Sequence, residues 1–428
     1  MHESLPQALI VLWLNFVLQV VPVRLVSTFT ELLMGVLISG SGHVTDALFQ
    51  VGHRKHFSTY YWFLNHGKWS WFKVNQQLIK LIVTYFPRIE WNIIVDDFIC
   101  PRSSKKAPHA KFHHEHSKKP NRPKYIWGQQ WIGLSVSLSW GKLCVSLPVL
   151  LRLHKKVGNS TKLTRGVMLI KLIMPIFKNT GHTLRCLVDS WYMKAPFIIP
   201  LLKRGINVIG QIRIDTVLFD PPPSCEGSKR KQGRPLKYGK KWTKDRINQL
   251  PIQRIQINIY GGLKEVKYRS TSCLVRFLKG LPVIAVWCQY PDQKSWSLIL
   301  STDLTLTPER IIKLYARRWK TEPMFNEIKH AYGVAEAWQQ TSKALHRWVS
   351  MLCVAYSLTR MISLITAKKK NNSFVPQVAW RKNSNMTAGL VRLGIVIFFR
   401  RYGFSTIWNP KSKKLIVPKN SLNMNNSG

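Results

Sequence analysis

Residues 88–98, RIEWNIIVDDF, form an apolar run that ends in two adjacent acids. A short and nearly continuous run of β-branched and aromatic residues is typical of a strand that is buried on both faces. The segment therefore predicts a buried strand with Asp96 and Asp97 at its end. Acids in that position either cap a loop or belong to a site, and the rest of the chain bears on this choice.

The chain before and after this strand shows two different patterns. Residues 1–86 have helical periodicity and predict a compact helical region. After the strand, strand and helix patterns alternate, with Gly141 at the turn of a hairpin and Asp189 at the end of a strand. The predicted elements in order are a hairpin (125–140 and 142–150), an amphipathic helix (161–179), a strand (182–192), a short helix and a further strand (206–215). This alternation predicts an α/β fold with a sheet flanked by helices.

Charge is the property in which the chain departs most from an ordinary globular protein. Its 428 residues include 65 Lys and Arg against 19 Asp and Glu, a formal net charge of +46. The basic residues recur along the whole chain, and such self-repulsion is tolerated mainly when the partner is a polyanion. Since 45% of the residues are hydrophobic, the chain is folded, and a large nucleic-acid-binding surface is favoured over a ribosomal or membrane-surface role.

Cysteine and apolar patterns argue against several other classes of protein. The seven cysteines form no C-x-x-C pair, so neither a zinc finger nor a disulfide framework is indicated, and a reducing compartment fits. The sequence HHEH (113–116) has no partner ligands at a recognised spacing and is interpreted as part of a basic loop that faces DNA. Polar residues interrupt the apolar runs at 8–23 and 348–366, which predicts buried helices instead of membrane spans.

A second informative stretch is YARRWKTEPMFNEIK, residues 315–329. At about 100° per residue, a single helix would bring Tyr315, Arg318, Glu322 and Lys329 onto one narrow stripe. Stripes at this spacing are normally apolar. A charged stripe is either a solvated face or the lining of a site.

Proline follows the glutamate of this stretch directly. Inside a helix, Pro323 would remove a hydrogen bond and clash with the preceding turn. The conflict is relieved if one helix ends near Trp319 and a second begins at Glu322, with the proline in its first turn. Glu322 and Lys329 would still share a face, but the single stripe would be broken.

Acidic residues are scarce in this chain, and three of them stand where a site could form. Asp96 or Asp97 ends one strand, Asp189 ends another, and Glu322 lies in the charged stretch. Three carboxylates brought together repel one another strongly unless cations lie between them. Mg²⁺ prefers oxygen ligands, and two such ions can clamp the attacking and leaving oxygens of a phosphodiester. Any one of these acids alone fits a loop cap, whereas their order and setting favour a metal site.

These motifs resemble those of one family. The chain resembles the bacterial insertion-sequence transposases of the DDE class, in the branch with a Y-R-E-K signature, which matches at Tyr315, Arg318, Glu322 and Lys329. IIVDDF and LVDSWY resemble the strands that carry the family's two aspartates, and GRPLKYG resembles a loop common in such proteins. The resemblance covers most of the chain. It implies a ribonuclease H-like core with a β-rich insertion.

The resemblance also implies which residues hold the metal. Asp96, Asp189 and Glu322 would be the catalytic ligands of two Mg²⁺ ions, with Mn²⁺ as a substitute. Asp97 remains the alternative to Asp96. Phe98 departs from the family, which commonly has threonine at that position.

Further residues would contact DNA if the resemblance holds. Tyr315, Arg318 and Lys329 would hold the phosphate and the DNA end near the scissile bond. For Trp319, a DNA contact is considered, and packing in the core is favoured. An aromatic residue of the insertion would stack a displaced base, and the candidates Trp242, Trp287 and Trp296 are not distinguished.

The implied reaction is cleavage at the ends of a mobile element, followed by transfer of the 3′-OH into target DNA. The partners would be double-stranded DNA, as terminal inverted repeats and target, bound by a homodimer in the bacterial cytoplasm without a membrane. Two other functions stay open. One is a ribonuclease H-fold nuclease without strand transfer, and the other is a catalytically decayed DNA-binding protein.

The sequence divides into five predicted segments. They are a helical N-terminal DNA-binding domain (1–86), the first part of the core (87–215), a basic loop with the β-rich insertion (216–302), the second part of the core with the candidate glutamate (303–366) and a basic C-terminal segment (367–428). Within the loop, Gly233, Arg234 and Pro235 resemble a minor-groove motif or form part of a solvated loop that crosses the DNA backbone.

Overall fold

The computed structural model describes most of the chain. The described residues are 6–114, 123–141, 143–155, 161–178, 182–223, 236–259, 262–291, 293, 295–366 and 387–418. The predicted minor-groove motif at 233–235 and the second half of HHEH lie outside them.

The described residues form twelve α-helices and thirteen strands. The helices are α1 (Pro6–Leu18), α2 (Val26–Ile38), α3 (Val44–Val51), α4 (Phe57–Asn65), α5 (Trp71–Tyr85), α6 (Lys162–Lys178), α7 (Ala195–Leu202), α8 (Lys244–Gln249), α9 (Pro308–Ala316), α10 (Thr321–His330), α11 (Ser342–Thr366) and α12 (Ala388–Ile407). The strands are β1 (Glu90–Pro101), β2 (Lys111–His114), β3 (Tyr125–Trp140), β4 (Leu143–Leu153), β5 (Thr183–Val188), β6 (Asn207–Ile212), β7 (Leu218–Phe219), β8 (Gln253–Ile259), β9 (Gly262–Val275), β10 (Pro282–Gln289), β11 (Ser297–Ser301), β12 (Trp408–Asn409) and β13 (Lys414–Leu415).

Eleven of these strands form one mixed sheet. Its central order is β3-β1-β5-β6-β11-β10-β9, with β2 and β4 both paired to the outer edge of β3. Strand β1 runs antiparallel to β3 and parallel to β5, and β5 runs parallel to β6. The predicted α/β fold, a ribonuclease H-like mixed sheet flanked by helices, is confirmed.

The predicted β-rich insertion continues this sheet. Strands β8 to β11 pair antiparallel with one another, as expected, but β11 also pairs with β6 of the core. Pairing to β6 satisfies the backbone groups that a free sheet edge would leave exposed.

The two faces of the central sheet carry different helices. Ile311 and Leu314 of α9 pack with Ile94 and Leu187 of the sheet in one apolar cluster. On the opposite face, α6 lies against the sheet so closely that a Cβ on its Gly166 would come within 3.2 Å of the Val95 side chain. Successive residues of a strand point to opposite faces, so each face presents its own set of side chains.

The N-terminal helices pack against the rest of the molecule instead of standing apart. Helix α11 contacts α1, α2, α4, α5 and strand β4. Its buried Arg347 donates hydrogen bonds to the carbonyl oxygens of Leu64 in α4 and of Trp69 in the connection before α5. These helices and the sheet share one hydrophobic core. The boundaries of the five sequence segments stay a prediction.

Helix α11 is the one helix of the described residues that is long and apolar enough to cross a membrane. Most of that apolar stretch is buried inside the fold. Helix α1, which covers the other apolar run, is likewise mostly buried. The prediction of two buried helices is confirmed.

The charged stretch 315–329 is not one helix. Helix α9 ends at Ala316, a 3₁₀ turn spans Arg317–Lys320, and α10 begins at Thr321 with Pro323 in its first turn. The single-helix stripe is therefore wrong. The two-helix interpretation is confirmed, because a proline is tolerated where the amide N–H has no intrahelical partner.

Two backbone segments cross at Gly42 and Gly333, which lie after α2 and after α10. A Cβ on Gly333 would lie 1.9 Å from the amide nitrogen of Gly42, and Gly333 has a φ of 69°. The carboxylate of Glu336 accepts a hydrogen bond from the Gly42 amide at 2.8 Å. This crossing ties the end of α10 to the N-terminal helices.

Replacing the glycine at this crossing should destabilise the fold. Gly333→Ala is expected to lower the free energy of unfolding by about 2–5 kcal/mol, the sum of left-handed backbone strain and overpacking. The control is Gly52→Ala, because Gly52 has a φ of 65° and no atom within 4 Å of an added Cβ. Urea denaturation measures both variants. Equal losses would mean that the crossing itself contributes nothing.

Candidate active site

Two carboxyl groups lie side by side just beyond the last paired residues of β1 and β5. Asp96 lies within β1, so the prediction that this strand ends at the two acids is wrong, because β1 stays paired with β3 up to Pro101. Val95 of β1 pairs with Val188 of β5, so the next residues, Asp96 and Asp189, follow in register. Asp96 shares its face of the sheet with Ile94, the face covered by α9. The two aspartates predicted from separate motifs therefore lie together beneath the helical segment that carries Arg318.

Burial makes both of these aspartates unusual acids. Desolvation, reinforced by repulsion from Asp189, raises the pKa of Asp96 to about 7 despite the opposing charge of Arg318. Burial also raises the pKa of Asp189, although the amide N–H groups of Tyr192 and Trp191 donate to its Oδ1 and oppose the shift. The cost of holding two buried negative charges is not fully compensated by the protein's own groups.

Arg318 connects the aspartate pair to the candidate glutamate. Its Nη1 lies 3.2 Å from Oδ2 of Asp96, and its Nη2 lies 3.5 Å from Oε1 of Glu322. The guanidinium is buried, whereas 54% of the Glu322 side chain is exposed. The buried Nε of Arg318 has no hydrogen-bond acceptor among the described residues. Arg318 thus lies between Asp96 and Glu322, and its Nε–H is left without an acceptor among the described residues.

The remaining residues of the Y-R-E-K pattern lie at different distances from this centre. Tyr315 is buried below Arg318, with the guanidinium carbon 5.7 Å from its ring centroid, and its hydroxyl donates to Gln211 Oε1 at 3.2 Å. Lys329 lies further along α10, where its Nζ is 5.7 Å from the ring of Phe98. Trp319 is half-buried, and the Arg318 guanidinium lies 4.8 Å from its ring.

Helix α10 reaches the sheet through aromatic packing at Phe98. The rings of Phe98 and Phe325 are 4.4 Å apart, and Gly133, the strand partner of Asp96, leaves room for Phe325. A Cβ on Gly133 would lie 3.0 Å from the Phe325 ring. Phe98, the residue that departs from the family pattern, therefore packs against α10, the helix that carries Glu322.

Asp97 faces the other side of the sheet and is fully occupied there. Its carboxylate accepts hydrogen bonds from Lys162 Nζ at 3.1 Å, Gln130 Nε2 at 2.6 Å and the Tyr192 hydroxyl at 3.3 Å. Strand alternation places it opposite to Asp96. Of the two neighbouring acids, Asp96 is the one that lies with Asp189 and Arg318.

A chain of hydrogen bonds joins the two faces. The amide N–H of Asp97 donates to Oδ1 of Asp96 at 2.8 Å, and Tyr192 donates its hydroxyl to Asp97 and its amide N–H to Asp189. The residues Asp97 and Tyr192 thereby fix the orientation of both candidate ligands. Because a metal ligand works only in the correct orientation, these two residues belong to the candidate site without touching the reacting atoms.

The sequence did not single out Tyr192, Lys162, Gln130 and Gln211. Tyr192 stands in the quoted motif LVDSWY, three residues after Asp189, which is a usable signal. The others come from distant elements and carry no local pattern. Only the pairing of strands brings them to the acids.

The donor chemistry of the site fits a divalent cation only in part. Asp96 and Asp189 offer hard oxygen ligands, and the raised pKa of each carboxyl is what a nearby cation would relieve. No three acidic, histidine or cysteine side chains of the described residues converge as a ready cation site. Glu322 is turned to Arg318 instead. The aspartate pair fits the predicted metal, and the glutamate's part in it stays a prediction.

The three tryptophans considered for base stacking differ in access. Trp287 is buried in β10, with 3% of its surface exposed. Trp242 and Trp296 are half-buried, and each carries an arginine over its ring, Arg246 at 4.1 Å and Arg269 at 5.1 Å. The burial of Trp287 removes one of the three candidates.

Comparison with known proteins bears on the part of the site that the strands form. A family model described as DDE superfamily endonuclease matches residues 29–256, more than half of the chain. The match includes Asp96, Asp97 and Asp189 and ends before Glu322. No curated protein sequence matches the chain.

The raised pKa of Asp96 predicts how stability depends on pH. Its folded value, about 7, exceeds the ordinary 3.8, so the stabilising protonated form is fully present below about pH 4 and is lost as the pH rises through about 7. Added Mg²⁺ should therefore raise the melting temperature more at pH 8 than at pH 5. Calorimetry of Asp96→Asn should show no effect of Mg²⁺ and a weaker dependence on pH, since Asp189 keeps a raised pKa, while Asp215→Asn, at an exposed aspartate, should behave as the wild type.

The hydrogen-bond chain predicts different consequences for neighbouring substitutions. Asp97→Asn or Tyr192→Phe should raise the Mg²⁺ concentration needed for half-maximal stabilisation by about 10–100-fold, as expected for residues that orient a ligand. Asp96→Asn should abolish it. A thermal-shift titration with Mg²⁺ measures all three. The reverse order, with Asp97→Asn abolishing the effect and Asp96→Asn only weakening it, would make Asp97 the ligand.

Proposed function

Because the chain belongs to the DDE superfamily of endonucleases, we propose that it is a DNA transposase that cuts at the ends of a mobile element and joins them to target DNA. Membership makes it a nuclease-type enzyme whose substrate is DNA, in a superfamily that generally uses divalent metals. The proposal goes further in three respects: strand transfer, the identity of the metal as Mg²⁺, and the residues that act.

The half-buried aspartate pair opposite Arg318 is the observation that carries the proposal. Asp96, Asp189 and Glu322 would hold two Mg²⁺ ions, with Mn²⁺ as a substitute. When bound, the ions would activate the attacking oxygen and stabilise the leaving oxygen of a phosphodiester. The exposed side chain of Glu322 has room to turn from Arg318 towards a cation, since only one of its oxygens is paired at 3.5 Å.

Arg318 is proposed to change partners when DNA binds. The unused Nε, together with Nη groups freed from the acids by the cations, offers a planar set of donors that suits a phosphate. Tyr315 holds this arginine from below through its ring. Lys329 adds a positive charge further along α10 for the DNA end, and Trp319 would support Arg318 from the side.

Transposition explains the chain's charge better than simple hydrolysis does. A net charge of +46 suits a protein that holds two element ends and a target at once. We therefore propose terminal inverted repeats and target DNA as partners, a homodimer on DNA, and a cytoplasmic location. The superfamily name, endonuclease, keeps a nuclease without strand transfer as the second candidate.

The proposed function predicts loss of cleavage at two separate positions. Wild-type protein with Mg²⁺ or Mn²⁺ should nick DNA that carries the flanking ends of its gene, and products joined to a target plasmid should follow. Asp189→Ala and Glu322→Ala should reduce both steps below detection while DNA binding persists. The matched control is Glu265→Ala, which removes a half-exposed, arginine-paired carboxylate in β9, far from the site.

The possible outcomes separate the candidate functions. Nicks without joined products would favour the nuclease. Tight binding without cleavage in either metal would favour a decayed copy that only binds DNA. Cleavage that survives Glu322→Ala but not Asp189→Ala would retain the aspartates and remove the glutamate from the site.

A further inference from the structure

The hairpin of β2 and β3 carries four aromatic rings on one face. Phe112 pairs across the strands with Trp127, and His114 pairs with Tyr125. The ring centroids are 5.1 Å apart in the first pair and 5.4 Å apart in the second. Because side chains alternate, all four rings point to the same side of the two-stranded ribbon.

This aromatic face is open to solvent, in contrast to the other face of the same hairpin. Phe112 is 68% exposed and Tyr125 is 55% exposed. On the opposite face, His113 is buried, and its ring nitrogen lies 3.2 Å from the carbonyl oxygen of Gly128. A contiguous exposed aromatic patch is unfavourable in water, and it commonly marks a binding surface.

The surroundings of this face are basic. Lys105 and Lys106 follow Ser104, which accepts from the Trp127 indole, and the Nζ of Lys124 lies 5.9 Å from the Tyr125 ring. In the sequence between 98 and 126 the single acid is Glu115. Aromatic faces that stack bases, surrounded by cations that hold phosphates, are the pattern of single-stranded nucleic-acid binding. Charge complementarity therefore favours a nucleic acid over an apolar protein surface.

The hairpin is held firmly at its base. The amide N–H of Arg102 donates to the carbonyl oxygen of Trp127, and its Nε donates to Gln129 Oε1 at 2.8 Å. The Trp127 indole N–H donates to the carbonyl oxygen of Ser104 at 3.3 Å. The Arg102 guanidinium also donates to the carbonyl oxygen of Ala335, beyond α10. The aromatic rings thus lie on a hairpin whose base is hydrogen-bonded to the turn that follows α10, the helix of Glu322.

Strand β1 runs from the candidate active site to the base of this hairpin. Asp96 and Pro101, the end of β1 next to the hairpin, are five residues apart. At about 3.3 Å per residue they are separated by about 16 Å, which corresponds to about five nucleotides of a strand at ~3.4 Å each. Because α10 packs on Phe98 between these two places, a DNA strand would pass around α10 to reach the aromatic rings from the acids.

We propose that the aromatic face of the β2–β3 hairpin binds unpaired DNA next to the cleavage site, with bases stacked on Phe112 and Tyr125 and phosphates held by the neighbouring lysines. This inference rests on the proposed function for the nature of the substrate. It adds a binding site for single-stranded DNA that lies outside the group of acids. An opened strand held there would be kept from pairing again near the scissile bond.

The test is binding of a fluorescein-labelled 12-nucleotide oligothymidine, followed by anisotropy on full-length protein. In the variant Phe112→Leu with Tyr125→Leu, which keeps apolar bulk and removes the rings, affinity should fall about 10–100-fold. Affinity for a duplex of the same length should stay within about twofold. The control, Trp338→Leu, removes an exposed aromatic outside the predicted N-terminal DNA-binding domain and should leave both affinities unchanged.

Three outcomes would overturn the inference. They are unchanged oligothymidine binding in the hairpin variant, an equal loss of duplex binding, or dissociation of a wild-type dimer by these substitutions in gel filtration. The last result would make the face a contact between two copies of the chain.

The experiments distinguish failure of this inference from failure of the proposed function. Asp189→Ala protein should bind oligothymidine like the wild type, so stacking is measured without cleavage. If no protein cleaves DNA but binding depends on the rings, the inference stands and the transposase proposal falls. If the wild type and the hairpin variant cleave equally and bind oligothymidine equally, the inference falls alone.

Discussion

The parallel pairing of β1 with β5 is the constraint on which the site depends. It places two carboxyl groups side by side, just beyond the last paired residues of β1 and β5, in a region where burial already disfavours charge. Neither acid can move away without breaking a buried ladder of hydrogen bonds. The positive charge of Arg318, on one face of the sheet, compensates part of this electrostatic cost. A bound cation would relieve the remainder.

Arg318 lies in the 3₁₀ turn that separates α9 from α10. A continuous helix through 315–329 would follow its own 3.6-residue repeat, whereas the 3₁₀ turn at Arg317–Lys320 re-aims the chain between α9 and α10. Phe325 on Gly133 and Glu327 with Arg360 of α11 then hold α10 in place. Packing on both sides of α10 therefore decides where Glu322 can reach.

The sheet separates two kinds of acid by alternation alone. Asp96 faces Arg318, and Asp97, one residue later, faces Lys162 and Tyr192. The amide N–H of Asp97 donates to Asp96, and Tyr192, which donates its hydroxyl to Asp97, donates its amide N–H to Asp189. The two adjacent aspartates thus have different surroundings, and neither could exchange with the other without turning the strand over.

Several features were determined by the sequence itself. The existence of a buried strand around Asp96, the order of the three acids, the break at Pro323 and the positive net charge all follow from local composition and spacing, because strand burial, proline geometry and charge are local properties. The opposite surroundings of Asp96 and Asp97, the bridge from Arg318 to two acids and the joining of the β-rich strands to the core were decided by tertiary structure. Each depends on which distant element covers a given face or edge of the sheet, and no window of sequence contains that information.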